Sequence, residues 1–433
     1  MPRLGSRVRV PFPASFLLAR RSGSGGETGR REGLKIPWDK IPCGFDPRPE
    51  HRFEFPQFLL PVTGPLDSQL KYVRDPRTLA RAGICVFGIL AAGACHSRVT
   101  LEELPADQIE TTLFLVGDAG EPDPRQVGEP LDSLAAQASV APQRSIIVFL
   151  GDNVYPGGIP VEGAAQWADS RRRLEAQVKA VPPGAQGIFV PGNHDWADET
   201  AFGLYSIRLQ ERMIAALAQG RDVRMIPGNG CPGPVPFDVG RLRFVALDTQ
   251  WWLHSFIVRD SSSRCPATTM ASVTAALRSE VQPPGVGRVV IVAAHHPLMT
   301  GGAHGGYCGL TGPYRRFGAT SQDILSGANR TMRDSIRSAF TGHPPLAYVA
   351  GHDHNLQVLR GGPNVKYILV SGAGSPGKTE CAVRMRESYY VTQHRAGFMR
   401  IDILRGKGVL LRVFRYPATA RGALAYTRWL ELR

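Results

Sequence analysis

A chain of 433 residues with 43% apolar and 20% charged residues has the make-up of a globular protein, and is long enough for one large domain or two ordinary ones. Its net charge of +14 is uneven: residues 1–94 hold 15 Lys and Arg against 8 Asp and Glu, and the other 339 hold 36 against 29. The excess is densest at the N-terminus, and the remainder has no basic run with interleaved aromatics, which excludes a nucleic-acid footprint there. A mildly basic body favours anionic substrates, although an Arg-rich proteome accounts for it as well.

Residues 1–72 include Arg20-Arg21-Ser22-Gly23-Ser24-Gly25-Gly26 and scattered prolines without sustained periodicity, and read as a disordered or wrongly assigned extension. Then Arg74, Arg77 and Arg81 lead into an apolar run over 82–94 that closes Ala92-Gly93-Ala94-Cys95. A charged start, a short apolar stretch and small residues before the cleavage point describe a secretory signal over 73–95, with Val73 read as the initiator. Small residues ending in cysteine also resemble a bacterial lipoprotein box, with a lipid anchor at Cys95. The run is too short to span a bilayer, so no transmembrane span is expected. A buried core helix is the competing reading. The export reading makes the protein periplasmic, lipid-anchored or secreted. Cys43 and Cys85 precede the cleavage point, which leaves Cys231, Cys265, Cys308 and Cys381. Four cysteines in an exported chain permit disulfides in three pairings, and none has the Cys-x-x-Cys spacing of a thiolate zinc site.

From about residue 108 the chain alternates. Apolar runs at 112–116, 145–150, 187–190, 242–247, 289–293 and 346–350 read as strands, with helical stretches at 164–180, 204–218, 271–281 and 322–340. That alternation predicts a largely parallel sheet covered on both faces. After Gly351 strands follow without helices, at 367–370, 389–392, 398–404 and 409–416, and predict a second, mostly antiparallel sheet packed on the first. Gly- and Pro-rich loops at 227–236, 300–313 and 371–378 sit where a substrate mouth would form.

Five of these strands end in metal-ligand residues. Val116 runs into Gly117-Asp118-Ala119-Gly120, Leu150 into Gly151-Asp152-Asn153-Val154-Tyr155, and Val190 into Pro191-Gly192-Asn193-His194-Asp195. Ala294 runs into His295-His296-Pro297, and Ala350 into Gly351-His352-Asp353-His354. A lone Asp at a strand tip is more often a turn former or helix cap, and a lone His-x-His is more often surface or core. Five such pieces in order, each after a strand, favour a shared site, because ligands in open α/β sheets sit at the strands' carboxyl ends. Asp118, Asp152, Tyr155 and His354 make an oxygen-rich set suited to a hard cation. Asp152, Asn193, His295 and His352 hold more nitrogen and suit Zn²⁺, Fe²⁺ or Mn²⁺. Asp152 belongs to both, since one carboxylate can bridge two ions.

The five motifs, in this order, resemble the metallophosphoesterase superfamily, and Tyr155 narrows the resemblance to purple acid phosphatases. Gly351-His352-Asp353-His354-Asn355-Leu356-Gln357 and Ser371-Gly372-Ala373-Gly374 are especially similar to the small, tartrate-resistant type. The likeness covers roughly residues 110–415, close at the motifs and loose between them, and departs most at 220–236 and around Cys265 and Cys308. It implies an α/β fold: a four-layer α-β-β-α sandwich of two mixed sheets flanked by helices, with ligands at strand C-termini, over a calcineurin-like domain at 96–433. It further implies Fe³⁺ on Asp118, Asp152, Tyr155 and His354, and a divalent ion on Asp152, Asn193, His295 and His352. His194 and His304 match family positions that touch substrate, with His194, near Asp195, as the acid for the leaving alcohol and His296 as a spectator. The implied activity is phosphomonoester hydrolysis by a metal-activated hydroxide on a small phosphorylated substrate. The alternatives are diester, nucleotide or phospholipid-headgroup cleavage, or a surface binding protein without turnover.

Overall fold

The computed structural model describes residues 104–122, 130–254, 264–282, 287–406, 408–419 and 422–432. The extension at 1–72, the export segment at 73–95, Cys43, Cys85 and Cys95 lie outside the described residues.

In chain order the first half holds β1 (Ile109–Val116), α1 (Pro130–Ser139), β2 (Ser145–Phe149), α2 (Trp167–Lys179), β3 (Gln186–Phe189), α3 (Gly203–Ala218) and β4 (Val223–Met225). Next come β5 (Val235–Val239), β6 (Leu242–Ala246), α4 (Gln250–Leu253), α5 (Met270–Val281), β7 (Val289–Ala293), α6 (Gly312–Arg316), α7 (Gly327–Ala339) and β8 (Ala347–Ala350). Six strands close the chain: β9 (Leu356–Gly362), β10 (Val365–Ser371), β11 (Ser388–Thr392), β12 (Ala396–Leu404), β13 (Val409–Thr419) and β14 (Gly422–Glu431).

Two seven-stranded sheets result, in the orders β14-β13-β12-β1-β2-β3-β4 and β11-β9-β10-β8-β7-β6-β5. In the first, β1 to β4 run parallel and β12 to β14 add antiparallel strands on the β1 edge. In the second, β6, β7, β8 and β10 run parallel, with antiparallel β5 on one side and antiparallel β9 on the other, and β11 pairs antiparallel with β9 at the edge. Both sheets are therefore mixed, as the resemblance implies.

The two-residue period of the strands sorts their side chains into layers. Leu113, Leu115, Ile146 and Val148 meet Val289, Ile291 and Ala293 in the core between the sheets. The alternate residues Phe114, Ile147 and Phe149 pack outward on Leu134, Leu174, Val178 and Ile214 of α1, α2 and α3. On the other side Val290, Val292 and Tyr348 pack on Val273, Leu277, Met332 and Ile336 of α5 and α7. Three apolar layers separate four structural ones, which makes this the expected α-β-β-α sandwich.

Three expectations are corrected. The strands after Gly351 do not form a sheet of their own: β10 pairs directly with β8, β9 and β11 follow on its far side, and β12 pairs with β1. Strands β4, β5, β9 and β14 and helices α1, α4 and α6 escape the sequence reading; β4 and β5 span only three and five residues, α4 and α6 four and five. The helix expected over 322–340 begins at Gly327, because Ser326 takes an extended backbone and its side chain accepts from the Asn329 N–H. Gln322 and Asp323 are thereby released into the preceding turn. The four cysteines pair as Cys231–Cys265 and Cys308–Cys381, one of the three permitted arrangements. Among the described residues no helix is long and apolar enough to cross a membrane.

Candidate metal centre

The ligand-bearing turns are fixed by main-chain bonds that continue the strand pairing past its end. Leu150 N–H donates to Val116 O at 2.9 Å, Asp118 N–H to Gly151 O at 2.9 Å, and Val190 N–H to Phe149 O at 2.8 Å. In the second sheet Ala294 N–H reaches Val349 O at 3.1 Å and Gly351 N–H reaches His295 O at 3.0 Å. Asp118, Asp152 and His352 all adopt left-handed backbone, with φ of 57°, 55° and 71°. Non-glycine residues rarely do so, and such strain gathers at functional sites. Gly151, at φ 90°, has no room for a side chain, since a Cβ there would run into the His295 ring. One at Gly192 would strike the backbone and carboxylate of Asp152.

The first sheet supplies oxygen. The Tyr155 hydroxyl lies 3.1 Å from Asp118 Oδ1 and 3.2 Å from Asp152 Oδ2. It also lies 3.0 Å from His354 Nε2, which is itself 3.4 Å from Asp118 Oδ1. A phenol has one proton to donate, so it cannot satisfy both carboxylates at once. The His354 Nδ1 faces the carbonyl of Lys378 at 2.8 Å. A carbonyl only accepts, so Nδ1 carries the proton and, in the neutral ring, Nε2 turns its lone pair toward the Tyr155 and Asp118 oxygens.

Nitrogen dominates the neighbouring half. His295 Nε2 is 3.0 Å from Asn193 Oδ1, 3.4 Å from Asp152 Oδ1 and 3.2 Å from His352 Nδ1. His352 Nδ1 is also 3.2 Å from Asn193 Oδ1. The far nitrogens are again bound to carbonyls: His295 Nδ1 to Leu150 O at 2.8 Å, and His352 Nε2 to Gln322 O at 3.2 Å. Backbone carbonyls behind each imidazole are the usual way of fixing the tautomer of a metal-binding histidine. All seven expected ligands thus meet in one cluster, and Asp152 joins its halves through one oxygen each.

The electrostatics of the side chains show what the cluster attracts. Asp118 and Asp152 are each 1% exposed, and among the described residues no Lys or Arg pairs with either; their ion-pair partners are His194, His295 and His354. Burial would pull His295 down, but Asp152 and then Asp118 outweigh it and lift the ring to about 10. His354, pulled down by burial, is raised to about 8, chiefly by Asp118. Burial would raise Asp152, yet His295 and His194 hold its carboxyl well below the usual range. Burial, then the charges of Asp118 and Asp152, push the Tyr155 phenol well above its ordinary value. The cluster therefore draws positive charge to its centre. A single proton on His295 Nε2 would face three acceptors at once, whereas a cation satisfies all of them. The donor set fits a pair of metal ions.

Around this core stand the other expected residues. His194, 27% exposed at its side chain, holds Nε2 3.8 Å from Asp152 Oδ2 and Nδ1 2.8 Å from Asp198 Oδ1. Against the downward pull of burial, Asp152 and Asp198 raise it to about 9. Its ring meets that of Tyr155 edge-on, with centroids 4.6 Å apart. His304 lies against His352, ring centroids 3.9 Å apart, with Nδ1 3.3 Å from Asp323 Oδ1. Asp195 is turned away from the cluster: its carboxylate accepts from Asn153 N and Nδ2, each at 2.9 Å, and from Gly192 N at 2.8 Å. His296 approaches His295 and His352, but its nitrogens are taken by Thr249 Oγ1 at 2.9 Å and Gln322 Oε1 at 2.6 Å. Sequence reasoning missed Asp198, Gln322, Asp323 and Lys378, whose ammonium sits 4.2 Å from the Tyr155 ring centroid. Gln322 and Asp323 were hidden by the misplaced helix start; Asp198 had a cue in its i+4 spacing from His194.

No family model matches the chain, and no curated protein matches it. Among solved structures the chain is similar to GAP50, the anchor in the inner membrane complex of Plasmodium, at 15% identity and a TM-score of 0.47, over 75% of this chain and 90% of that one. It is also similar to the calcineurin-like phosphoesterase YfkN from Bacillus subtilis, at 10% identity and a TM-score of 0.33, over 74% and 90%. Likeness at this level decides nothing about the site, whose case rests on its own atoms.

Proposed function

We propose that this chain is a hydrolase of phosphoric esters that works with two metal ions and acts on small phosphomonoesters. The observation carrying the reading is the convergence of seven donor groups, backed by carbonyls, on a buried centre with no Lys or Arg partner for its carboxylates among the described residues. Asp118, Asp152, Tyr155 and His354 would hold the harder ion, Fe³⁺, and Asp152, Asn193, His295 and His352 would hold Fe²⁺, Zn²⁺ or Mn²⁺. When bound, such a pair supplies Lewis-acid polarisation of the ester and a water acidified enough to attack it.

The side chains around the centre divide the remaining work. Asp198 and the Pro156 carbonyl hold His194 at Nδ1 and favour its protonated ring, so that Nε2 faces the cluster. That geometry suits protonation of a leaving alkoxide. His304, oriented by Asp323, offers a second contact to phosphate oxygens. Asp195 acts as a positioning residue by tying the Gly192 turn to Asn153. Export is supported by the two disulfides, which persist in oxidising compartments. A lipid anchor at Cys95 remains part of the proposal on sequence alone.

Protein purified without added metal should carry two ions per chain, show an iron–phenolate visible band, and hydrolyse aryl phosphomonoesters faster than diesters. A colourless, metal-poor protein that gains no turnover on reloading would overturn the reading. Preference for diesters would move the substrate class while leaving the centre intact.

A further inference from the structure

A second feature of the ligand-bearing edge has no role in the chemistry above. An open cavity of about 400 Å³ is lined by Arg384, Arg395 and Arg415, with Thr392 and Gln393 between them, and no carboxylate contributes to its wall. None of the three guanidiniums forms an ion pair among the described residues. The cavity spans both sheets: Thr392 lies on β11, while Arg415 lies on β13 opposite Gly397 of β12. It is also tied to the metal centre through the main chain. Glu380 N–H donates to His354 O at 2.8 Å, and His394 N–H to Glu380 O at 3.0 Å. Thr392 pairs with Leu356, two residues beyond His354, and Ala382 N–H reaches the Gln393 side chain at 3.3 Å.

Three cations around one cavity repel each other, and an anion seated there reverses that balance. Arginine forks match the paired oxygens of a phosphate, and neutral donors such as Thr and Gln can serve those left over. The volume lies within the range of small-ligand sites. We propose that this cavity is a second phosphate-binding site, distinct from the metal centre and needing no metal of its own. Two sources supply such a group: the second phosphoryl of a bisphosphorylated substrate, or free inorganic phosphate. The first source rests on the hydrolase reading; the binding site itself does not.

The test compares the intact, metal-loaded protein with the double variant Arg395→Gln, Arg415→Gln, and with Arg395→Lys, Arg415→Lys as a charge-keeping control. Calorimetric titration with inorganic phosphate should give two binding events in the wild type. The Gln pair should lose one of them, or weaken it at least tenfold, with metal content unchanged, and the Lys pair should keep part of it. If the metal-centre reading fails, the wild type gives one event and the Gln pair none, which still supports this site. Equal stoichiometry and affinity in wild type and Gln pair overturn it. A tenfold rise in KM for a bisphosphate ester in the Gln pair, with kcat kept and KM for a monophosphate unchanged, assigns the site to substrate. Unchanged KM for both esters, with the binding event lost, assigns it to free phosphate.

Discussion

The two sheets bring different chemistry to the same edge. From the first come Asp118, Asp152, Tyr155 and Asn193, every one an oxygen donor; from the second come His295, His352 and His354, every one a nitrogen donor. Between the sheets the core is apolar, whereas at this edge they are laced by polar bonds. His295 Nδ1 reaches Leu150 O at 2.8 Å, His352 N–H reaches Asp118 Oδ2 at 2.8 Å, and Ser371 Oγ donates to Leu115 O at 2.7 Å. The first sheet concentrates negative charge that it cannot neutralise, and the second supplies neutral or protonated rings. A cation at the seam is the one addition that serves both.

The most damaging way to break this arrangement is at Asp152, the acid shared by both halves. Asp152→Asn should strip both ions and reduce turnover to background, read by metal analysis and initial rates; a variant retaining both ions would refute the bridging role. On the nitrogen side alone, His352→Ala should weaken one ion and spare the other. Losing a partner behind a ligand costs about 10–100-fold, so losing the ligand should lower kcat by more than that. Near-normal turnover with full occupancy would remove His352 from the site. On the oxygen side, Tyr155→Phe deletes only a phenol oxygen, leaves the packed ring in place, and should abolish any iron–phenolate colour while thermal unfolding stays close to wild type. A coloured Tyr155→Phe protein would show that the chromophore lies elsewhere.

This contrast was legible in the sequence to the extent that each ligand-bearing turn follows a short apolar run, with a glycine in every one but that of His295. Apolar runs predict buried strands, Gly151 and Gly192 predict tight turns, and the donor types then declare themselves. What positions the donors was less legible. The carbonyls of Leu150, Gln322 and Lys378 orient three histidines, and a carbonyl belongs to every residue, so it leaves no mark in a sequence. Gln322 was further obscured because 322–340 has helical texture throughout, and only the Ser326 cap settles where the helix starts. The sharing of the late strands between sheets was hidden for another reason. Leu356–Gly362 follows the last ligands directly, so β9 reads as loop, and without it β11 has no visible link to β10 and β8.

A smaller effect tests whether the histidines are what keep the buried acids charged. Asp248 follows β6 of the second sheet and accepts from Trp196 Nε1, on a loop of the first, at 2.8 Å, and from Trp251 N–H at 3.2 Å. Like Asp152 it is buried and bridges the sheets, but no histidine or cation pairs with it among the described residues. Burial, opposed only in part by these hydrogen bonds, raises its carboxyl from 3.8 to about 7, whereas Asp152 is held low. Between those two values the folded protein keeps a proton on Asp248 that the unfolded chain has released. The native state then binds more protons than the unfolded one, so this group makes stability fall as pH rises from about 4 to about 7. Asp248→Asn should flatten that part of the Tm–pH curve while lowering Tm at the acid end, because an amide nitrogen would face one of the two donors. An unchanged slope in the variant would mean that Asp248 stays ionised in the folded protein, and that burial without a histidine is not enough to neutralise an acid at this seam.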